Sequence, residues 1–418
     1  MAKRMRFILS TIMVIVAMTA KAQVTTSSLS GKVTDPDKEA IIGATVQAIH
    51  EPSGTRYGAI TNIDGRYTIQ GMRAGGPYSV EVSYIGYQTM MYKDVTLQLG
   101  EVYNLNVQMK ESSELLEEVV VTAQKTKFAS EKTGATTNIS NTQIASMPSV
   151  SRSITDYSRL SAYGGNGMSF AGSDGRTANF TIDGANFNNN FGLSSNLPGG
   201  GNPVSIEAID EIQIVISPFD VRQTNFIGGG INAITKSGTN TYKGTAYIYH
   251  QNENMRGDAI DRETILGARE KDQSTTYGFT IGGPIIKNKL FFFANGELQN
   301  TPAIANRWRA SEDGVANADA YISRATVADL QNVSDIAKER YGYDTGSFSS
   351  FPSDNKNTKL LARIDWNINN NHRLALRYNY TKNTVWNAPN ASSMDGGTRM
   401  SGSRTSQYAM SYANSMYS

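Results

Sequence analysis

The chain has 418 residues, with 39 Lys and Arg against 37 Asp and Glu, a formal net charge of +2, and no cysteine. Near-balanced charge gives no basis for a nucleic-acid partner or a basic membrane patch, and the lack of cysteine excludes both a disulfide framework and a lipidated amino-terminal cysteine. At roughly 150 residues per domain the length suggests about three domains. Helical periodicity is scarce while Gly, Asn, Ser, Thr and Tyr abound, so the composition predicts a mainly β, exported protein.

At the amino terminus Lys3, Arg4 and Arg6 precede the apolar run FILSTIMVIVAMTA and the small-x-small pattern Ala20-Lys21-Ala22. This predicts a signal peptide over residues 1–22, cleaved between Ala22 and Gln23. The apolar run falls short of the roughly 20 residues that a membrane-spanning helix needs, so a retained anchor is not expected.

Residues 27–110 contain short alternating runs separated by Asp-Pro, Ser-Gly, Asp-Gly and Gly-Gly turns, a spacing that predicts an immunoglobulin-like β-sandwich. Asp64-Gly65 should form a tight turn that sends Tyr67 and Ile69 to one side. Through SGKVTD, GATV, TNIDGRYTI and VSYIGYQ the segment resembles the carboxypeptidase regulatory-like domain family. That resemblance implies a non-catalytic module.

Residues 116–125, LEEVVVTAQK, place a strong β-former where the surroundings read as a linker. Two placements stand: a docking strand that adds to the open sheet edge of a partner, or a last strand of the preceding sandwich. Residues 126–240 then predict a mixed α/β domain. It should hold a short helix capped by Ser140 or Asn141 and ended by Pro148, and a second Ser-capped helix. Next come a strand with an Asp183-Gly184 turn, a strand in which Ile212, Ile214 and Ile216 share a face, and a Gly-rich connection to a final strand.

Residues 241–418 alternate cleanly. Leu360, Ala362, Ile364 and Trp366 face one way, opposite Lys359, Arg363, Asp365 and Asn367; Leu374, Leu376, Tyr378 and Tyr380 resume the apolar side, opposite Arg373, Arg377 and Asn379. An apolar-out, polar-in wall is what a lipid-embedded β-barrel requires. The run Phe291 to Phe293 breaks this alternation, so one of its three rings is expected to point inward. TVADLQNVSDIAKERYG is expected to be a helix decorating an extracellular loop. Compared with the roughly 22-stranded barrels of plugged outer-membrane transporters, the class that the motifs below resemble, the residues after 240 suffice for about a third of the strands, so a fragment or truncated reading frame is expected.

The order of signal, regulatory-like domain, EEVVVTA, FTIDGANFN, IEAIDEIQIV and GGGINAITKSGTN resembles a TonB-dependent outer-membrane receptor of the SusC-like and Oar-like kind. IDGANFN and FDVRQTNFIGGGI stand where SusC-like chains carry VDGVP and SAAYGSRAANGVI, which favours the Oar-like form. The resemblance implies a plug at 126–240, a partial transmembrane barrel at 241–418, and an outer-membrane location with the amino-terminal domain in the periplasm. Glu117, Glu118, Val119, Val120, Val121, Thr122 and Ala123 would be the TonB box gripped by a TonB-type energy transducer. Other implied partners are outer-membrane lipid, an unknown ligand and a surface lipoprotein lid. The implied function is import of a bulky nutrient, such as an oligosaccharide or peptide; a structural or adhesion barrel is the alternative. In the Asn-rich loop, Asn186, Phe187, Asn188, Asn189, Asn190 and Phe191 combine amides with rings suited to a sugar or peptide. His250-Gln251-Asn252-Glu253 fits the H-x-x-E zinc pattern with His372 as a third ligand, but lies at a strand end and a turn rather than in a cleft. No enzyme activity, metal or cofactor is expected.

Overall fold

The computed structural model describes residues 24–111, 119–122, 135–147, 149, 152–165, 167–188, 197, 202–216, 218, 220, 223, 226–255, 259–260, 263–264, 273–302, 309–317, 322–345, 354–369, 372–387 and 410–417. The expected cleavage site at Ala22 and Gln23 lies outside them.

Short alternating runs make the first unit. Its strands are β1 (Ser27–Thr34), β2 (Thr45–His50), β3 (Thr55–Ile60), β4 (Arg66–Met72), β5 (Gly75–Ser83), β6 (Met90–Leu97), β7 (Val102–Asn104), β8 (Val107–Gln108) and β9 (Val119–Thr122). One sheet has the order β4-β1-β7, with β8 also on β1, and the other β3-β2-β5-β6-β9. Tyr67 and Ile69 project between the sheets onto a core that includes Leu29, Val46, Tyr78 and Val80, because successive strand residues point to opposite faces. Burial of each such side chain contributes about 1.5–3 kcal/mol. The Asp64-Gly65 turn forms as expected: Gly65 takes φ +70, and Asn62 Oδ1 accepts from the Asp64 and Arg66 amides at 3.0 and 2.8 Å. The valine run is the outermost strand of the larger sheet, parallel to β6.

The central unit contains β10 (Ala135–Ser140), α1 (Asn141–Ser146), α2 (Ile154–Ser158), β11 (Asn179–Ile182), β12 (Ala185–Asn186), β13 (Ile209–Ile216) and β14 (Gly229–Thr235). Its sheet runs β10-β13-β14-β11-β12. The Ser140 amide donates to Gln143 Oε1 at the start of α1 (2.9 Å), and Ser153 caps α2, as their position before each helix requires. Ile212, Ile214 and Ile216 share a core with Ile139, Phe180 and Ile231. Gln213 and Val215 on the opposite face are buried too, because the sandwich covers that side. Gln213 Nε2 donates to the Leu99 carbonyl at 2.5 Å, the Leu99 amide donates to Glu211 Oε1 at 3.0 Å, and Leu99 packs with Ala74 and Ile234.

The remaining strands are β15 (Lys243–Gln251), β16 (Ala259–Ile260), β17 (Glu263–Thr264), β18 (Ser274–Ile286), β19 (Leu290–Pro302), β20 (Arg309–Ser311), β21 (Ile322–Thr326), β22 (Asp354–Asn367), β23 (Arg373–Asn387) and β24 (Met410–Tyr417). Six of them form an open antiparallel sheet, β15-β18-β19-β22-β23-β24. Lys359, Leu361, Arg363 and Asp365 are buried against the central unit, while Leu360, Ile364, Trp366, Leu374, Leu376 and Tyr378 are exposed on the other face. The expectation for the three phenylalanines needs correction. Alternation is unbroken: Phe291 and Phe293 both point inward, the latter into the central core, and Phe292 meets Tyr242 on the other face. Between β21 and β22, α3 (Val327–Tyr341) buries no side chain; Thr326 and Asp329 form its capping box and Gly342 closes it at φ +63.

The sandwich sits at the end of the sheet that carries its short turns. Asn367 Nδ2 donates to Thr55 Oγ1 (3.0 Å), Arg373 donates to the Arg56 carbonyl (2.9 Å) and stacks 4.0 Å over the Tyr57 ring, and the Asn240 amide donates to the Pro52 carbonyl (2.8 Å). The longer connections, 252–273, 303–353 and 388–409, leave from the opposite end.

His50 lies within this seam, 5% exposed, with Nδ1 2.7 Å from Ser53 Oγ. Burial, and secondarily the Arg73 charge, hold its pKa down at about 3 from 6.5. Between those values the unfolded chain binds the extra proton and the folded chain does not, so stability present above pH 6.5 is lost as pH falls toward 3. Hydrogen exchange of β2 and β5 amides, corrected for intrinsic rate, should therefore accelerate across that window, and His50→Gln should flatten the dependence. An unchanged slope in the variant would show that His50 does not set it.

Candidate functional site

The residues singled out in the sequence fall in two separate places. Val119–Thr122 form β9 at the sandwich edge, whereas Glu117, Glu118 and Ala123 lie outside the described residues. Asn186, Phe187 and Asn188 leave the end of the central sheet, and Asn189, Asn190 and Phe191 lie outside the described residues. Phe187 requires a correction: its ring is 2% exposed in the central core and its amide donates to the Phe180 carbonyl (2.9 Å), so it packs the unit instead of facing a ligand. Asn188 is also engaged, accepting from the Phe180 amide at 2.6 Å and donating to Asn179 Oδ1 at 2.8 Å. Asn186 stays exposed. His250 bonds Thr275 on the neighbouring strand (2.8 Å) and His372 sits in the β22–β23 turn, and among the described residues no group of three His, Cys, Asp or Glu could hold a metal ion.

A different site emerges where the central unit meets the sheet. Register places Tyr247, Gly278, Glu297, Lys359 and Thr381 in one row across β15, β18, β19, β22 and β23. Glu297 and Lys359 are only 4% and 3% exposed. Lys359 Nζ donates to Glu297 Oε1 at 2.7 Å, and Glu297 Oε2 accepts from Ser205 Oγ at 2.7 Å, Tyr247 Oη at 2.9 Å and Arg152 at 3.3 Å. Arg152 also pairs with Glu207 at 3.2 Å and lies 3.8 Å over the Tyr249 ring. Thr381 closes the row by donating to the Pro203 carbonyl. Gly278 makes the row possible, since a Cβ there would stand 2.2 Å from Tyr247 Cζ. Any side chain would push the ring away from Glu297.

A second cluster lies nearer the sandwich. Arg363 makes a bidentate pair with Asp365 at 2.8 and 3.0 Å and donates to the Thr235 carbonyl at 2.6 Å. Asp183, in the left-handed turn that joins β11 to β12, approaches Arg363 at 3.6 Å and Arg377 at 3.5 Å, and accepts from Thr235 Oγ1 at 2.5 Å. Arg73 of the sandwich donates to Ser237 at 2.8 Å and lies 3.7 Å from Asp365. One charge cluster thus ties all three units together.

Arg152, Ser205, Glu207, Tyr247 and Glu297 were not singled out from the sequence. The available signal was the inward position of charged residues on alternating strands, but the partners of Glu297 lie 50 or more residues away along the chain, as for Lys359 at a separation of 62. Glu297→Ala should leave Lys359 buried without its carboxylate and cost about 3–5 kcal/mol, while a matched Glu297→Leu and Lys359→Met pair should recover most of it. Chemical denaturation of the detergent-solubilised protein gives both numbers. A Glu297→Ala loss under about 1 kcal/mol would mean that the carboxylate is hydrated and does not hold the contact.

Residues 28–110 match the carboxypeptidase regulatory-like domain and residues 234–311 match the outer membrane beta barrel domain. The TonB-dependent transporter Oar of Myxococcus xanthus is 27% identical over 227 residues, which are 51% of this chain and 19% of the relative's length. Among solved structures, the siderophore receptor PirA from Acinetobacter baumannii aligns over 68% of this chain and 36% of its own, at 19% identity and a TM-score of 0.39. The outer membrane transporter YddB from Escherichia coli aligns over 60% of this chain and 33% of its own, at 12% identity and a TM-score of 0.40. The chain therefore carries a carboxypeptidase regulatory-like domain followed by outer-membrane β-barrel sequence, and it is a homologue of a TonB-dependent transporter.

Proposed function

We propose that this protein works as a TonB-dependent outer-membrane receptor that imports a bulky nutrient such as an oligosaccharide or peptide. In this reading the central unit is the plug, the six-stranded sheet belongs to the surrounding wall, and residues 117–123 are gripped by an energy transducer. The observation that carries it is the division of the sheet's two faces. Leucine, isoleucine, tryptophan and tyrosine line the outer face, suited to lipid, while the inner face presents Glu297, Lys359, Arg363 and Asp365 to the central unit. A polar seam can be parted because each ion regains water as it separates, whereas an apolar seam of equal area could not rehydrate favourably.

Orientation follows from the connections. Barrels of this class keep short turns in the periplasm and long loops outside, so the sandwich and β9 would face the periplasm and the transducer. Asn186 and the positions 189–191 are the candidates for ligand contact, while Phe187 and Asn188 hold the central fold. No catalytic step is part of the reading.

Strand addition works through the backbone, so it tolerates β-branched replacement and fails with proline, which removes a donor and fixes φ. Val120→Pro should abolish transducer crosslinking at Thr122→Cys and energised uptake, with surface ligand affinity unchanged, while Val120→Thr should be mild. If Val120→Pro crosslinks and transports as well as the parent, residues 117–123 are not the grip.

A further inference from the structure

The four central residues of the proposed grip are also the outermost strand of the sandwich. β9 lies parallel to β6, with Met90 opposite Val119, Met91 opposite Val120, Tyr92 opposite Val121 and Lys93 opposite Thr122. We propose that the sandwich stores this segment: β6 occupies one backbone edge of Val119–Thr122, and the energy transducer, a periplasmic domain with an open sheet edge, takes the segment from β6 when it docks. The inference rests on the reading of residues 117–123 as the transducer's grip.

The geometry of β6 limits how tightly the segment is held. Asp94 takes φ +61, and Tyr78 and Val80 of β5 pair with Val95 and Tyr92, so Ser79 alone on β5 faces both Lys93 and Asp94 on β6. That is a β-bulge, which locally disrupts the ladder of the strand that carries it and bends that strand. Among the described residues the ladder to β9 runs from Met90 opposite Val119 to Lys93 opposite Thr122, next to that bulge. The ladder is parallel, and parallel pairing is slightly less stable per residue than antiparallel, so an antiparallel partner edge can outcompete it. Pairing also keeps one edge of a Val-rich strand covered, which an unpartnered segment would expose to association with other chains.

The store stays with the receptor when it is emptied. Leu99 is bonded to Glu211 and Gln213, and Arg73 reaches Ser237 and Asp365, none of which involves β9. Docking thus competes with an internal strand, and the apparent affinity for the transducer is lowered by the fraction of molecules whose segment is stored.

The chain has no cysteine, so Lys93→Cys with Thr122→Cys introduces a single possible disulfide between backbone partners. Binding of the purified periplasmic domain of the transducer is measured on the whole receptor in detergent. The oxidised double variant should bind at least about tenfold more weakly than the same variant reduced, with recovery on adding reductant. Equal binding by oxidised and reduced protein would overturn the store while leaving the grip intact, because the transducer would then be using the outer edge of β9. Failure of the two cysteines to join in the folded protein would contradict the pairing itself. A parent that does not bind the transducer through residues 117–123 would sink the grip, and the store with it.

Discussion

Glu297 brings one negative charge into a space from which water is largely excluded, and groups from both sides converge on it. Lys359 and Tyr247 come from the sheet, Ser205 and Arg152 from the central unit. A carboxylate so placed cannot be left unpaired without a cost of several kcal/mol, so the position of the central unit against the strands is specified more sharply than apolar contact alone would achieve. Strand register follows the same requirement, because a one-residue slip would turn Lys359 and Glu297 to the outer face.

The Arg363 cluster extends that constraint toward the sandwich. Asp183 is presented by a left-handed turn on the central unit, Arg363 and Asp365 come from β22, and Arg73 arrives from the end of β4. A displacement of any one unit therefore disturbs the electrostatics of the other two. The contact is specific while the units are seated, and its ions regain water once they part, as the proposed plug role of the central unit requires.

Much of this was legible in the sequence. Alternation alone separated Leu360, Ile364 and Trp366 from Lys359, Arg363 and Asp365, since side-chain period does not depend on partners. Turn chemistry placed Gly65 and the Asp183 turn, and capping residues placed α1 and α2. Phe187 was misjudged because an aromatic flanked by asparagines looks like a binding loop, and only the fold shows its ring inside the core. The three phenylalanines looked irregular because a strand facing lipid on one side and packed protein on the other can be apolar on both. The valine run left two placements open, and the choice depended on whether β6 offered a free edge, which no local pattern encodes. Glu297 and Arg152 escaped notice for a similar reason: their meaning lies in partners distant along the chain.

If the central unit moves relative to the strands, the polar seam centred on Glu297 is where the two part. Single-molecule pulling between a handle at Thr122 and a handle in the β18–β19 turn addresses it directly. The central unit should be released in an early, low-force step while β18, β19, β22 and β23 stay paired, and Glu297→Ala should lower the force of that step alone. A single event in which the central unit and the strands come apart together, indifferent to Glu297, would contradict it.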